Sequence, residues 1–343
     1  MEEIRFVCPQ CNSSLIQKDN TLVCSGCNAA WQIVDGVVKL SRSPSYWSIL
    51  PVEDMKGFLQ DVKIKGWKDA IVSSKNPRIK DLYLFTDCPS RADGTFYLSL
   101  TSESRVLDLG PGWGSYTFAL SPRVESVVAA DSSLESLEFI SLRAKQDGIE
   151  NIAPVHIEPL DQGKLPFEER SFDVVVMNGV LEWVGSYLKG GDPLKIQQKC
   201  LKEVGRVLKE TGELWIGIEN RFGLKYLQGE PDDHLRYYSS KKSVSYTTVV
   251  PRIIANMMTQ KALGIPYRTY THSLWGLKRL LKKAGFKEIE FYYPLEGYRA
   301  VSAKIYPIQS QEVRSKIRER IRPFSLFGLE PALCNNFFVL ARK

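Results

Sequence analysis

The chain has 343 residues, 43% of them hydrophobic, which is enough for one large domain or for a core with a small module attached. No run of 18 apolar residues occurs, which excludes a membrane-spanning helix. The opening MEEIRFVCPQ lacks the basic and apolar regions of a secretory signal, so a cytoplasmic protein with reduced thiols is expected. The net charge of +7 is unevenly carried: residues 101–222 hold 13 Lys and Arg against 19 Asp and Glu, and residues 223–343 hold 21 against 9, so the last third suits an anionic acceptor, a nucleic acid or an acidic surface.

In chain order, Cys8-Pro9-Gln10-Cys11 and Cys24-Ser25-Gly26-Cys27 are two C-x-x-C knuckles separated by twelve residues. Each knuckle projects two thiolates from a tight turn, and four soft ligands suit a closed tetrahedral zinc site that holds together a segment too small for its own core. Residues 30–40 then read as strand, Asp-Gly turn and strand, giving a zinc ribbon over residues 1–43. Its charge is balanced, which argues against a nucleic-acid grip by the ribbon alone. Residues 44–100 read as short helical pieces rich in aromatics and broken by Pro and Gly, a linker or a lid over the cofactor cleft.

From residue 101 the pattern alternates strand and helix, as a parallel doubly wound sheet requires. Residues 105–109 form a short apolar strand, Gly110, Gly112 and Gly114 a turn in which the backbone bends sharply and approaches a ligand, and residues 115–120 open a helix. A second strand ends in Asp131, about 20 residues on, where such folds hold a ribose diol. The turn lacks the phosphate-binding lysine motif and the third glycine of a dinucleotide fingerprint, and Asp108 would repel a pyrophosphate, so a positively charged ligand is indicated.

This combination resembles the class I S-adenosylmethionine-dependent methyltransferases over about residues 101–343. The resemblance rests on an acid followed by G-x-G-x-G (Asp108, Gly110, Gly112, Gly114), the LPFEERSFDVVV segment at 165–176 and VGRVLKETGELWI at 204–216. It implies a doubly wound, seven-stranded Rossmann-like sheet with helical insertions at about 223–272 and 295–332. By the same resemblance the glycine turn lies under the methionine portion, Asp131 takes the ribose hydroxyls, and Asp161 or else Glu158 meets the adenine amino group. The ribbon resembles those attached to, or activating, some nucleic-acid and protein methyltransferases. The pieces NGVLEWV, GIENRFGLKYLQG, DDH and PYRTYTHSLWGL resemble bacterial methyltransferases of polysaccharide or secondary-metabolite pathways.

Acceptor chemistry is sought at the other strand ends. By the same resemblance the tip of strand four faces the transferred methyl group, which makes Asn178 there a candidate contact for cofactor or acceptor. Asn220 and Arg221, at the end of strand five, and Tyr298 are candidate substrate contacts. His234 is the candidate general base, with Glu219 second, because an imidazole near neutrality can take a hydroxyl proton as the methyl moves. The function expected is methyl transfer, at oxygen, to a small-molecule or glycan-linked acceptor. The second reading is an RNA methyltransferase that grips its substrate with the ribbon and the basic last third; it is disfavoured because no N-P-P-Y tetrad follows Val176.

Overall fold

In the computed structural model, residues 4–43, 45–46, 48, 50–162, 164–186, 190–237, 243–295, 297, 304–321 and 328–343 are described, with side chains except at 83–85 and 236–237. The apolar runs of the middle third become parallel strands because both their faces are covered and neither has to meet water. These strands are β5 (Arg105–Leu109), β6 (Ser126–Asp131), β7 (Ile152–His156), β8 (Phe172–Asn178) and β9 (Leu208–Glu219). Before them come β1 (Leu15–Lys18), β2 (Thr21–Cys24), β3 (Ala30–Val34) and β4 (Val37–Lys39). After them come β10 (Glu288–Pro294), β11 (Ile305–Pro307) and β12 (Asn336–Arg342).

The sheet order is β1-β2-β3-β4-β7-β6-β5-β8-β9-β12-β10-β11. Strands β4 to β9 of this order run parallel, with β12 inserted antiparallel between β9 and β10. The resemblance predicts seven strands, whereas among the described residues the sheet has twelve. The physical reason lies at its edges. Strand β7 would expose a row of unpaired backbone groups, and β4 covers it through Val38↔Val155 and Lys39↔His156, with Leu40 N–H donating to His156 O at 2.8 Å. The ribbon is therefore spliced into the sheet, and Cys8, Leu22, Cys24 and Trp31 are buried in the same apolar cluster as the central strands.

Period-2 alternation divides the side chains between two layers. Leu107, Leu109, Val175, Met177, Leu214 and Ile216 face one cluster, while Val106, Val174, Val176 and Trp215 face the other. Between the ribbon and the sheet lie α1 (Val52–Lys65), α2 (Trp67–Ser73) and α3 (Pro77–Thr86). The crossovers are α4 (Ser115–Leu120), α5 (Leu134–Gln146) and α6 (Pro193–Val207). Then follow α7 (Leu224–Leu227), α8 (Arg252–Leu263), α9 (Leu274–Ala284) and α10 (Gln311–Ile321). Helix α9 begins where Ser273 accepts from the Gly276 N–H at 3.1 Å and stops at Gly285 in the left-handed region, as its sequence predicts. No described helix is long and apolar enough to cross a membrane.

The helices of residues 52–86 pack over the glycine turn. Met55, Phe58, Leu59, Val62 and Trp67 form one cluster with Trp113 and Phe139, and the Phe58 and Trp113 rings stack at 5.0 Å with 7° between planes.

Candidate active site

Three glycines between β5 and α4 have positive φ, +67° at Gly110, +56° at Gly112 and +85° at Gly114. That backbone favours glycine at each position. The three differ in what surrounds them. A Cβ on Gly110 would lie 2.6 Å from Val180, and one on Gly114 would lie 2.7 Å from the Phe118 ring. One on Gly112 would meet nothing within 4 Å, so the middle of the turn borders open space at the C-terminal ends of β5 and β6.

Two carboxylates flank that space. Asp131 ends β6 and accepts the Ser133 N–H at 2.9 Å, with the Ser132 and Gly112 N–H groups also directed at it; burial nevertheless lifts it to about 6. Asp108 is 2% exposed. Burial lifts it to about 7, against the Thr117 hydroxyl that donates to it at 2.6 Å, and the charge of Asp131 adds to the rise. Ser45 ties the covering segment to this corner by donating to Ser132 O at 2.8 Å, where the His156 ring also rests at 3.1 Å.

At the tip of β8 the Asn178 side-chain oxygen is buried and makes no hydrogen bond among the described residues. A Cβ on Gly217 would overlap that oxygen, so the neighbouring strand is shaped around the amide. Asp161 accepts the Gly185 N–H at 2.6 Å and so fixes the loop after the short turn at Leu181–Trp183. Glu158 instead accepts from the Arg42 N–H at 2.9 Å, at the end of the ribbon.

That turn joins the glycine corner to a second group. Val180 packs against Gly110, and two residues on Glu182 stands 3.5 Å from His234 Nε2. His234 Nδ1 lies 2.6 Å from Asp232, whose other oxygen accepts from the Tyr267 hydroxyl at 2.8 Å, and the Trp183 ring meets the imidazole edge-on. His234, Glu182 and Asp232 are 0–1% exposed. Burial alone would strip the imidazole of its proton; Asp232 first, then Glu182, overrule it and raise His234 to about 10, while the imidazolium holds Asp232 below the usual carboxylate range.

Replacing Asp232 by Asn leaves the imidazole only Glu182 and is expected to cost about 2–3 kcal/mol, less than the roughly 3–5 kcal/mol of a buried charge left wholly unpaired. The parent's stabilisation from His234 is complete below about pH 6.5 and is lost as pH rises through about 10. The Asp232 share is complete above about pH 4 and is lost as pH falls through its lowered value. Denaturant midpoints of parent and variant should thus differ at pH 7 and converge above pH 10; equal midpoints at pH 7 contradict the pairing.

The remaining sequence candidates are distributed as follows. Glu219 is buried, 3.1 Å from Lys225 Nζ and 3.3 Å from the Tyr226 hydroxyl that donates to it. Asn220 is fully buried: its side-chain N–H groups donate to Ala332 O and Cys334 O at 2.8 and 2.6 Å, and its oxygen accepts from Phe222 N–H at 3.1 Å, so it ties β9 to the segment before β12. Arg221 donates to Val250 O at 2.7 Å. Tyr298 lies outside the described residues. Of these groups the sequence signals Asp232, one of the two acids just before His234, whereas Glu182 and the Tyr267 that binds the far oxygen of Asp232 arrive from distant segments.

In the ribbon, the sulfurs of Cys8, Cys11, Cys24 and Cys27 all lie within 4.8 Å of one another, with Cys8 to Cys27 at 3.8 Å and Cys11 to Cys24 at 3.3 Å. Zinc–sulfur bonds of about 2.3 Å in a tetrahedron put sulfurs about 3.8 Å apart, so this donor set fits zinc. The two knuckles repeat one turn: Asn12 N–H donates to Cys8 O and Asn28 N–H to Cys24 O, each Asn having positive φ.

Comparison with known proteins agrees with this architecture. Residues 107–216, which hold both acids, the three glycines, Asp161 and Asn178, match the family described as Methyltransferase domain. The chain thus has an α/β methyltransferase fold with a mixed sheet, and its residues 107–216 form a methyltransferase domain. It is similar to the uncharacterized methyltransferase YcgJ of Bacillus subtilis (strain 168), 32% identical over 111 residues, which are 32% of this chain and 39% of that protein. The match therefore spans less than half of that relative. A ubiquinone biosynthesis O-methyltransferase of Histophilus somni (strain 2336) is 25% identical over 188 residues, 51% of this chain and 73% of that protein. Among solved structures, phosphoethanolamine N-methyltransferase 2 of Haemonchus contortus aligns with a TM-score of 0.47 at 16% identity, over 83% of this chain and 60% of that one.

Proposed function

We propose that the chain binds S-adenosylmethionine across the ends of β5, β6 and β8 and transfers its methyl group to an oxygen of a small-molecule or glycan-linked acceptor held over the end of β9. The observation that carries this is the open face of Gly112 between Asp108 and Asp131. Gly110, Gly112 and Gly114 would lie against the methionine portion, Asp131 would accept from the ribose hydroxyls, and Asp161 would face the adenine. The Asn178 oxygen, buried without a partner, would receive a donor from the cofactor or the acceptor. The cofactor supplies an electrophilic methyl on a sulfonium, and the protein's share is to align an oxygen with it. The two relatives named ubiquinone biosynthesis O-methyltransferases support oxygen as the acceptor atom. The four cysteines would hold a structural zinc.

His234 enters this reading with its proton held to about 10, and an imidazolium has no lone pair for a hydroxyl proton. We therefore assign it to positioning the turn at Leu181–Trp183, so that turnover carries no histidine titration between about pH 6 and 9. Calorimetry with S-adenosylmethionine tests the central reading, and absence of binding by the intact chain would falsify it. A rate limb near pH 6.5 that disappears in His234→Gln would restore the base role.

A nucleic-acid acceptor is the second reading. It is favoured by one feature, an exposed basic face of α9 on which Trp275 lies among Lys278, Arg279, Lys282 and Lys283. Phosphate contacts release counterions, so RNA binding that falls steeply with salt would select it.

A further inference from the structure

Beside the end of β9, separate from the glycine corner, Arg221, Arg252, Thr247, Thr248 and Thr269 line a cavity of about 10 Å³. Thr248 and Thr269 are 3% and 1% exposed. Their hydroxyls make no hydrogen bond among the described residues, and neither does Arg221 Nε. A buried polar group left in that state costs about 1–3 kcal/mol, and native interiors hold few of them. Three around one cavity indicate a missing partner.

The charges say which kind. Arg221 Nη2 donates to Val250 O at 2.7 Å and Arg252 Nη2 to Tyr267 O at 3.2 Å; among the described residues neither guanidinium has a carboxylate within ion-pair distance. Arg252 feels the charge of the exposed Asp192 from beyond ion-pair distance, and Asp232, reached through the Tyr267 hydroxyl, is already matched by His234. Burial first, then Arg221 and Arg252, press the neighbouring His272 down to about 3, so that it stays neutral and adds no third positive charge. A water would satisfy the hydroxyls but leave both guanidiniums without an ion-paired anion, and a cation would be repelled. An oxyanion meets both needs, accepting from the guanidinium fork and the hydroxyls together.

We infer that this cavity receives one oxygen of an anionic group, phosphoryl or carboxylate, carried by the methyl acceptor; that the carrier is the acceptor rests on the function proposed above. About 10 Å³ is room for roughly one oxygen-sized atom, so the rest of the group sits at the mouth, against Arg252. His234 and Glu182 adjoin this wall through Tyr267 and Tyr270, whose N–H donates to Glu182 O at 3.0 Å, and Glu182 leads back to the glycine corner. Binding the anion would thus fix the acceptor relative to the cofactor.

Thermal unfolding of the full chain in inorganic phosphate, in acetate and in chloride at equal ionic strength tests this. One of the first two anions should raise the parent midpoint on the order of 2 °C above chloride, phosphate indicating a phosphoryl group and acetate a carboxylate. Thr269→Val and Arg252→Gln should lose that rise. In chloride Thr269→Val should melt at or above the parent, because it removes a hydroxyl that has no partner. Binding of S-adenosylmethionine with the parent's affinity shows that each variant is folded. Neither anion raising the parent midpoint, or a rise kept in both variants, overturns the inference. Loss of S-adenosylmethionine binding by the parent would instead defeat the methyl-transfer reading and leave the anion result to stand by itself.

Discussion

Asp131→Ala should weaken S-adenosylmethionine binding by about 100–1000-fold in calorimetry, with Asp131→Asn in between. Two hydroxyls of a ribose donating to one carboxylate make charge-assisted bonds of about 1.5–3 kcal/mol each, and the alanine removes both acceptors. Part of that loss is offset because the variant no longer buries an acid. The pH dependence separates this role from a merely structural one. Burial holds Asp131 to about 6 and Asp108 to about 7, so in the free protein each keeps its proton well above the ordinary carboxylate range near 4. A ligand that needs the ionised Asp131 must displace that proton at low pH. Affinity of the parent should therefore be flat above about pH 7 and fall by up to tenfold per unit below about pH 6, and Asp131→Ala should lack that limb. The sign for stability is opposite. The folded chain binds more protons than the unfolded one between about pH 4 and 7, so the free protein loses stability as pH rises through that window, and S-adenosylmethionine restores it. A parent affinity that is level from pH 5 to 8, together with an Asp131→Ala variant that binds as tightly as the parent, would remove Asp131 from the cofactor site.

The parts of this site that are legible in the sequence are those set by neighbours along the chain. Residues 105–109 are too short and too apolar for anything but a buried strand, and the three glycines announce a backbone that side chains cannot adopt; β5 and the turn stand where that reasoning puts them. Ser273 and Gly285 bound α9 for the same local reason. The C-x-x-C knuckles likewise predict four sulfurs that converge. What escapes is pairing between segments. Nothing in residues 37–39 shows that they will lie beside 155–156 and lengthen the sheet, because an edge strand is chosen by whichever partner arrives. His234 reads as a base because its residue type is suited to one, whereas its protonation is decided by Glu182, 52 positions away, along with Asp232 beside it. Asn220 reads as a strand-end polar residue facing a ligand, and its amide holds backbone carbonyls more than 100 residues distant. Thr248 and Thr269 carry no sequence signal; only their burial without partners among the described residues singles them out.

Cys24→Ser, or removal of metal by a chelator, should lower the melting midpoint on the order of 10 °C, with about one zinc per chain lost in elemental analysis. Strands β1 to β4 are three to five residues each, too short to bury a core of their own. Four thiolates closing on zinc supply folding free energy on the order of 10 kcal/mol in comparable small modules, most of which here goes to ordering the ribbon. The effect does not stop at the ribbon, because Cys8, Leu22, Cys24 and Trp31 share the main apolar cluster and β4 covers the edge of β7. Releasing β4 exposes that edge and leaves β7 paired on β6 alone, where His156 is the register partner of Asp131. His156 also rests on Ser132 O, the same carbonyl that receives Ser45 from the covering segment. Metal loss is therefore expected to weaken S-adenosylmethionine binding by a few fold as well as to destabilise the chain, and to open residues 37–43 to protease before the sheet core. A chain that keeps its melting midpoint and its protease resistance after complete removal of zinc would show that packing against β7 holds the ribbon without the metal.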